Sequence, residues 1–540
     1  MKKMKKAAAL AAAAAMAVSG MAAAAETEGE TGDMAIAAAE SAADAMTEAE
    51  VSGDYDFTVD LDSVTVGGIE DSASVHDPSI IKGDDGRYYI FGTHVTAAVS
   101  DDLRTWEYIA QGYRKSNPLF TEEMWDKDGE AFSYSGAKSS LNPTDDGTRH
   151  VWAPDVIYNE TMGKYMMYLC FTSNWNTSNL CFATSDTIEG PYIWQDKLIY
   201  SGFTSETIDA TDVCDYVDKE TALSRYVTSN DEYNYNNYPN ALDPSVFFDE
   251  DGRFWMVYGS WSGGIYLLEL DPETGYVIHP EEDRADGVDP YFGKKLLGGG
   301  HNSIEGPYIQ YDPDSGYYYL EVSYGSLSRE GGYQIRIFRS ETVDGDYLDM
   351  NGKHPTNASS DHSKFGLKLS GNYMLPSLPM AYMATGHNSS FIDEDGKKYI
   401  CYHTRFDNKT EDYQDRVKQV FLNEEAWPCI LPYATDSETI SETGYDISQT
   451  AGRYYVVNSG TDISASINDP VIWYLNEDGT VAGDGVQGTW NAKEGTYCMS
   501  VTVDDVTYSG VFCEQKDEAG TDVMVFSAVG SNRTLWGVKY

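Results

Sequence analysis

A motif that returns five times restricts what this chain can fold into. A polar residue opens a short apolar run, an acidic or glycine turn follows, and an aromatic run comes next. The first copy is Val75-His76-Asp77-Pro78-Ser79-Ile80-Ile81, followed by Asp85-Gly86-Arg87-Tyr88-Tyr89. The second is Trp152-Ala153-Pro154-Asp155-Val156-Ile157-Tyr158, then Gly163-Lys164-Tyr165. The third is Leu242-Asp243-Pro244-Ser245-Val246-Phe247-Phe248, then Asp251-Gly252-Arg253-Phe254-Trp255. The fourth is Ile304-Glu305-Gly306-Pro307-Tyr308-Ile309, then Ser315-Gly316-Tyr317-Tyr318, and the fifth is Gly386-His387-Asn388-Ser389-Ser390-Phe391-Ile392, then Asp395-Gly396-Lys397-Lys398-Tyr399. Each copy reads as two strands joined by a glycine turn. Units that cannot bury their own faces must stack, and a closed ring of small antiparallel sheets does this while leaving few free edges. The expectation is an all-β chain, a five-bladed β-propeller, with Asp77, Asp155, Asp243, Glu305 and His387 at equivalent positions converging on one mouth of the channel.

The flanking segments differ in character. Residues 1–25 carry a basic start, an apolar middle and a small-residue end, as a secretory signal does; the rival is an uncleaved anchor, because the apolar run approaches the ~20 residues that span a bilayer. Residues 26–70 are acidic and of low complexity and read as a disordered linker. Residues 71–435 hold the propeller. From 436 to 540, alternating strands such as Tyr454-Tyr455-Val456-Val457 and Val501-Thr502-Val503 read as a separate C-terminal β-barrel. The net charge of −50 over 540 residues disfavours nucleic acid and anionic membranes as partners. The 41 tyrosines suit β-structure and surfaces that stack on sugars. Seven cysteines show no zinc spacing; Cys170 with Cys181, and Cys498 with Cys513, are placed to face each other across hairpins, with buried free thiols as the alternative. Aromatics in the insertions 112–148 and 201–240 either line a groove or pack on one another.

Carboxylates meeting at one mouth suit glycoside hydrolysis. One must be protonated to donate to the leaving oxygen, the other ionised to activate water or attack the sugar, and a third nearby raises the pKa of the acid. Carboxylates on different blades are expected about 6.5–9.5 Å apart, which predicts inversion. Asp155 and Asp243 remain equal candidates for the third carboxylate on this reasoning.

His76-Asp77-Pro78-Ser79, Trp152-Ala153-Pro154-Asp155, Asn240-Ala241-Leu242-Asp243-Pro244 and Ser303-Ile304-Glu305-Gly306-Pro307, in that order, resemble the motifs of family-43 glycoside hydrolases, and among them the two-domain extracellular endo-α-1,5-L-arabinanases. The resemblance runs over about 70–435, with the tail similar to their C-terminal barrel. It implies Asp77 as general base, Glu305 as general acid and Asp243 as the residue that tunes and orients the acid. It implies that His387 supports a calcium ion in the channel, coordinated mainly by water. His76, Trp152, Asp155 and His301 are placed with substrate binding, each with a structural alternative. Trp152 is equally readable as core packing, and Asp155 as a residue that bonds backbone or orients neighbours. The resemblance further implies a monomeric bacterial enzyme, secreted or at the cell surface, free of the membrane after processing, acting on arabinan of plant cell-wall pectin. The rivals are an exo-acting arabinofuranosidase or β-xylosidase, a fructan-cleaving propeller and a non-catalytic sugar-binding propeller. The Asp-Gly turns at 85–86, 251–252 and 395–396 lack calcium-loop spacing and read as hairpins.

Overall fold

The computed structural model describes residues 55–68, 72–126, 128–136, 150–281, 287–355 and 361–540. The segment read as a secretory signal, and most of the stretch read as a linker, lie outside the described residues. The architecture lies within the compact unit Phe57–Tyr540. Among the described residues no helix is long and apolar enough to cross a membrane.

Five antiparallel sheets follow one another along the chain, each built from consecutive strands. Blade 1 holds Ser79–Lys82, Tyr88–Gly92, Thr96–Ser100 and Glu107–Ala110, and blade 2 holds Val151–Asn159, Lys164–Thr172, Ser178–Ser185 and Ile193–Ser201. Blade 3 runs through Ser245–Phe248, Phe254–Tyr258, Ile265–Leu270 and Gly293–Leu297, with two short added strands. Blade 4 holds Ile304–Asp312, Tyr317–Tyr324, Gln334–Ser340 and Leu367–Ser370, and blade 5 holds Tyr382–Ile392, Lys398–Phe406, Tyr413–Leu422 and Pro428–Ile430. The Asp-Gly turns close the first hairpins of blades 1, 3 and 5. In blade 1, Gly83 N–H donates to Arg87 O at 2.8 Å and Gly86, at φ 80°, to Gly83 O at 2.9 Å. Asp249/Gly252 and Asp393/Gly396 repeat that pattern. A positive φ is open to glycine without a Cβ penalty, which is why the turn carries one.

Buried apolar clusters join each blade to the next. Phe91, Phe132 and Leu169 lie between blades 1 and 2; Tyr168, Phe182 and Phe254 between 2 and 3; Val257, Leu267 and Leu320 between 3 and 4. Among the described residues no strand is shared across the junction of blades 5 and 1. Val75, Ile80, Ile90, Tyr399, Cys401 and Val417 close the ring there, helped by Val75 N–H on Asp415 Oδ2 at 2.8 Å and Asp415 N–H on Ala73 O at 2.8 Å.

A second belt of bonds ties the innermost strands together. Ser389 Oγ donates to Pro78 O at 2.7 Å and accepts from Ile80 N–H at 3.0 Å. Ser79 Oγ donates to Asp155 Oδ1 at 2.5 Å and accepts from Val156 N–H at 3.2 Å. Asp155 Oδ2 then accepts from Val246 N–H at 2.7 Å, so one carboxylate spans blades 1, 2 and 3.

The last domain is a closed barrel of Gly452–Asn458, Val471–Leu475, Thr480–Gly483, Val486–Ala492, Cys498–Val503, Val506–Lys516, Asp522–Gly530 and Arg533–Lys539. Trp473, Trp490, Phe512 and Phe526 help fill it. It is docked on blades 4 and 5 through Trp536 Nε1–H on Ile430 O at 2.8 Å and Asn532 Nδ2 on Asp349 Oδ2 at 2.7 Å. Residues 57–68, the end of the stretch read as linker, run along this assembly. Thr58 O accepts from Arg453 at 2.7 Å, Asp60 O from Tyr455 at 2.9 Å, and Gly67 N–H donates to Ser377 O at 2.9 Å. Their order comes from partners far away in sequence, which composition does not register.

All seven cysteines are free. Cys181 is registered on Leu169 and Cys170 on Leu180, which sends the two thiols to opposite faces of blade 2. Cys498 is registered on Val511 rather than on Cys513. The facing arrangement expected from the hairpin spacing does not occur in either pair.

Replacing Asp155 with Ala leaves Val246 N–H buried without an acceptor. We expect Asp155→Ala to lower the unfolding free energy by about 1–3 kcal/mol in denaturant titration. An unchanged midpoint and slope would show that this clamp contributes nothing.

Candidate active site

Each innermost strand carries a residue in the left-handed region, just before its start in blades 1 and 3 and within it in blades 2, 4 and 5. These are Asp77 at φ 57°, Ala153 at 42°, Asp243 at 53°, Gly306 at 57° and His387 at 48°. In four of the five the next residue is proline. The pairing register skips at the same place, between Trp152 and Asp155, Glu305 and Tyr308, and Gly386 and Ser389. The kink turns the strand end toward the channel mouth. It also corrects the alignment expected from the sequence: the equivalent residues are Asp77, Ala153, Asp243, Gly306 and His387. Glu305 stands one residue ahead of that position and Asp155 two residues behind it, in the belt of inter-strand bonds.

Asp77, Asp243 and Glu305 line one cavity of about 590 Å³, together with His76, Trp152, His301 and His387. Asp155 is not in this lining. It is 4% exposed, its carboxylate is consumed by Ser79 and Val246, and burial pushes its pKa up to about 6. Its place with the substrate-binding residues is therefore corrected to that of a clamp between blades.

The three cavity carboxylates differ in how they are held. Asp77 Oδ1 faces His76 Nδ1 at 2.7 Å and His387 Nδ1 at 3.0 Å, and its Oδ2 accepts from Thr93 Oγ1 at 2.5 Å. Burial works to raise its pKa, but the His387 and His76 imidazoles hold it well below the ordinary carboxylate range. In return His387, which burial would drive down, is raised to about 9, chiefly by Asp77. Asp243 is pushed up to about 7 by burial and by the neighbouring charges of Glu305 and Asp77, against the pull of His387; its Oδ2 accepts from Gly306 N–H at 3.2 Å. Glu305 is raised first of all by burial, with His387 opposing. Its Oε2 takes both available donors, Trp261 Nε1–H at 2.6 Å and Ser260 Oγ at 3.1 Å. Tyr333 faces this carboxylate, although its hydroxyl does not meet hydrogen-bond geometry. One carboxylate is thus kept ionised, and two share an environment that favours a proton.

Several lining residues carry a second repeat that the sequence reading overlooked. Phe91-Gly92-Thr93, Tyr258-Gly259-Ser260 and Tyr324-Gly325-Ser326 end the second strands of blades 1, 3 and 4, and deliver Thr93, Ser260 and Ser326 to the cavity. Glycine is required there because the chain passes against backbone. A Cβ on Gly92 would lie 2.2 Å from His76 O, and one on Gly259 2.5 Å from Gly264 O. Trp175 and Trp261 gather round His301, with ring centroids at 4.9 and 5.4 Å. Of the insertion aromatics, Tyr235 reaches this group, 5.6 Å from His301, while Tyr233 and Phe132 are buried and Trp125 packs on Tyr113. Packing is therefore the main role of these insertions.

A cation fits the channel by charge, without a preformed cage. His387 lines the cavity beside three carboxylates, which suits one imidazole and a hydrated ion. The tightest ligand-type cluster among the described residues, His76, Asp77 and His403, is rich in nitrogen and bonded within itself, so it does not suit calcium.

Comparison with known proteins agrees with this architecture. Residues 220–428 match the family described as glycosyl hydrolases family 43, and residues 432–537 match a C-terminal lipocalin-like domain that accompanies it. The chain is 36% identical over 485 residues to the extracellular endo-α-(1→5)-L-arabinanase of Thermotoga petrophila, covering 86% of this chain and 94% of that protein. It is 36% identical over 482 residues to the extracellular endo-α-(1→5)-L-arabinanase 2 of Bacillus subtilis, covering 86% and 93%. The crystal structure of the Thermotoga petrophila endo-1,5-α-L-arabinanase superposes with a TM-score of 0.74 at 36% identity, over 88% of this chain and 100% of that one. A five-bladed propeller with carboxylates of unequal proton affinity in its mouth, a barrel docked on its side and relatives matched along nearly their whole length together place the chain in glycoside hydrolase family 43.

Proposed function

We propose that this glycoside hydrolase cleaves internal α-1,5-L-arabinofuranosidic bonds of extracellular arabinan with inversion. The observation that carries the reading is the division of protonation inside one cavity: Asp77 held low, Asp243 and Glu305 raised. The names of the relatives at 36% identity supply the substrate class and support endo action.

Asp77 acts as general base. Three donors satisfy its ionised form, so it stays a carboxylate at neutral pH and accepts a proton from a water attacking the anomeric carbon. Glu305 acts as general acid. Trp261 and Ser260 both donate to Oε2, which leaves Oε1 to carry the proton that passes to the departing sugar oxygen. The C–O bond breaks as water adds, and the two proton transfers balance. Asp243 keeps the proton affinity of this pair high and, through Gly306 N–H, fixes the turn that presents Glu305. The base is on blade 1 and the acid on blade 4, with His387 of blade 5 beside Asp77. That placing on non-adjacent blades supports a gap of about 6.5–9.5 Å, wide enough for a water. Trp152, Trp175 and Trp261 offer indole faces to furanose rings, and His76 and His301 offer polar contacts.

We also place a hydrated calcium ion in the channel, with His387 as its one direct protein ligand. When bound it would supply positive charge beside the carboxylates and hold His387 unprotonated. Calorimetric titration with calcium should show one site in the wild type and none in His387→Ala. Equal binding by both proteins, or none by the wild type, would contradict this site.

On debranched α-1,5-arabinan the wild type should release mixed oligomers from the earliest times, and Glu305→Gln should lower that rate by at least about 100-fold. Arabinose alone from the start would make the enzyme exo-acting, and undiminished activity of Glu305→Gln would remove Glu305 as the acid.

A further inference from the structure

The first loop of the barrel is met by buried side chains of blade 4, Gln334, Arg336 and Lys368, and Gln334 also bonds the turn at the cavity wall. Gln334 begins the third strand of blade 4 and is 1% exposed. Its Nε2 donates to two carbonyls at once, Gly332 O at 3.0 Å and Asp462 O at 3.0 Å, while its Oε1 accepts from Arg336 Nε at 2.9 Å. Arg336, fully buried, donates onward to Thr461 O at 2.6 Å and Gly366 O at 3.0 Å. Thr461 and Asp462 belong to the loop between the first two barrel strands. Gly332 closes the blade 4 turn whose Ser326 and Leu327 line the cavity, and Leu327 stands 42% exposed there. Ser326 N–H on Gly331 O at 3.0 Å makes that turn one unit. Turn and barrel loop also meet backbone to backbone, for a Cβ on Gly332 would lie 3.0 Å from Ser464 main-chain atoms. The next residue, Tyr333, faces Glu305.

We propose that Gln334 is a positioning residue that couples the barrel loop to the rim turn at 326–332, so that the barrel shapes the substrate-binding wall of the propeller. This rests on the reading of the cavity as the arabinan site. The amide is the part that matters: both of its protons are used, one toward each domain, in a place where water does not substitute for them. The same barrel loop has a second attachment away from the rim, Asn468 Nδ2 on Asn372 O at 2.9 Å, which supplies an internal control.

The test compares Gln334→Glu with Asn468→Ala in the full chain. Gln334→Glu keeps size and the contact with Arg336 but sets an acceptor against two carbonyls. We expect its KM for arabinan oligosaccharides to rise about 10-fold with kcat within about twofold, as loss of uniform binding gives. We also expect faster amide hydrogen exchange over 326–332. Asn468→Ala should leave both readouts at wild-type values. Gln334→Met, which introduces no charge, repeats the measurement if Gln334→Glu does not fold. Unchanged KM and exchange in the Gln334 variants, or the same changes in Asn468→Ala, would overturn the proposal. If the wild type cleaves no arabinan, that failure falls on the substrate reading, and the exchange comparison still decides the coupling.

Discussion

Everything in the active site depends on the left-handed kink that each innermost segment carries at the channel mouth. At Asp77, Asp243 and His387 it places a side chain on the channel mouth. At Gly306 it leaves room that any side chain would fill, since a Cβ there would lie 3.1 Å from the His387 ring. The chemistry of blade 4 has therefore moved one residue back, to Glu305. The kink has a conformational cost for Asp and His, which visit this region less readily than Gly. The prolines that follow, and the belt of Ser389, Ser79 and Asp155 one turn below, hold the strands so that it persists.

With the backbone fixed, the field of the cavity follows from few contacts. Both imidazoles contact one carboxylate, Asp77, and His387 pulls on the other two more weakly than burial pushes. Burial and mutual repulsion are left to act on Asp243 and Glu305. Carboxylates thus take opposite protonation roles through the balance of burial and neighbouring charge against their donors: histidines and a threonine for one, a backbone amide for the next, an indole and a serine for the third. The barrel enters at the edge of this arrangement, through carbonyls of its first loop that reach Gln334, Arg336 and Lys368 of blade 4.

Much of this was legible in the sequence because the repeat carries its own physics. Alternating aromatic runs and Asp-Gly turns specify hairpins, and the order of Asp77, Asp243, Glu305 and His387 gives the site. The stagger of Glu305 and Asp155 was countable from Pro307 and Pro154, yet a search for acidic residues looks past the proline that sets the frame. The aromatic-Gly-Ser/Thr repeat ending at Thr93, Ser260 and Ser326 was equally present and went unread, because hydroxyl residues at strand ends are common. Gln334 was not legible at all. Its two acceptors lie 2 and 128 residues away, and nothing in its neighbours marks it. Tyrosines of the Tyr/Asn-rich insertion were similarly undecided until their ring partners were placed.

The opposed roles proposed for Asp77 and Glu305 are tested most directly by proton NMR during the first turnovers on an α-1,5-linked arabino-oligosaccharide. A water activated by Asp77 on the face opposite the leaving group predicts that the new reducing end is released as the β anomer, with the α anomer growing in later by mutarotation. Release of the α anomer first would contradict the arrangement, because it requires a covalent intermediate on a carboxylate whose proposed role is that of a base.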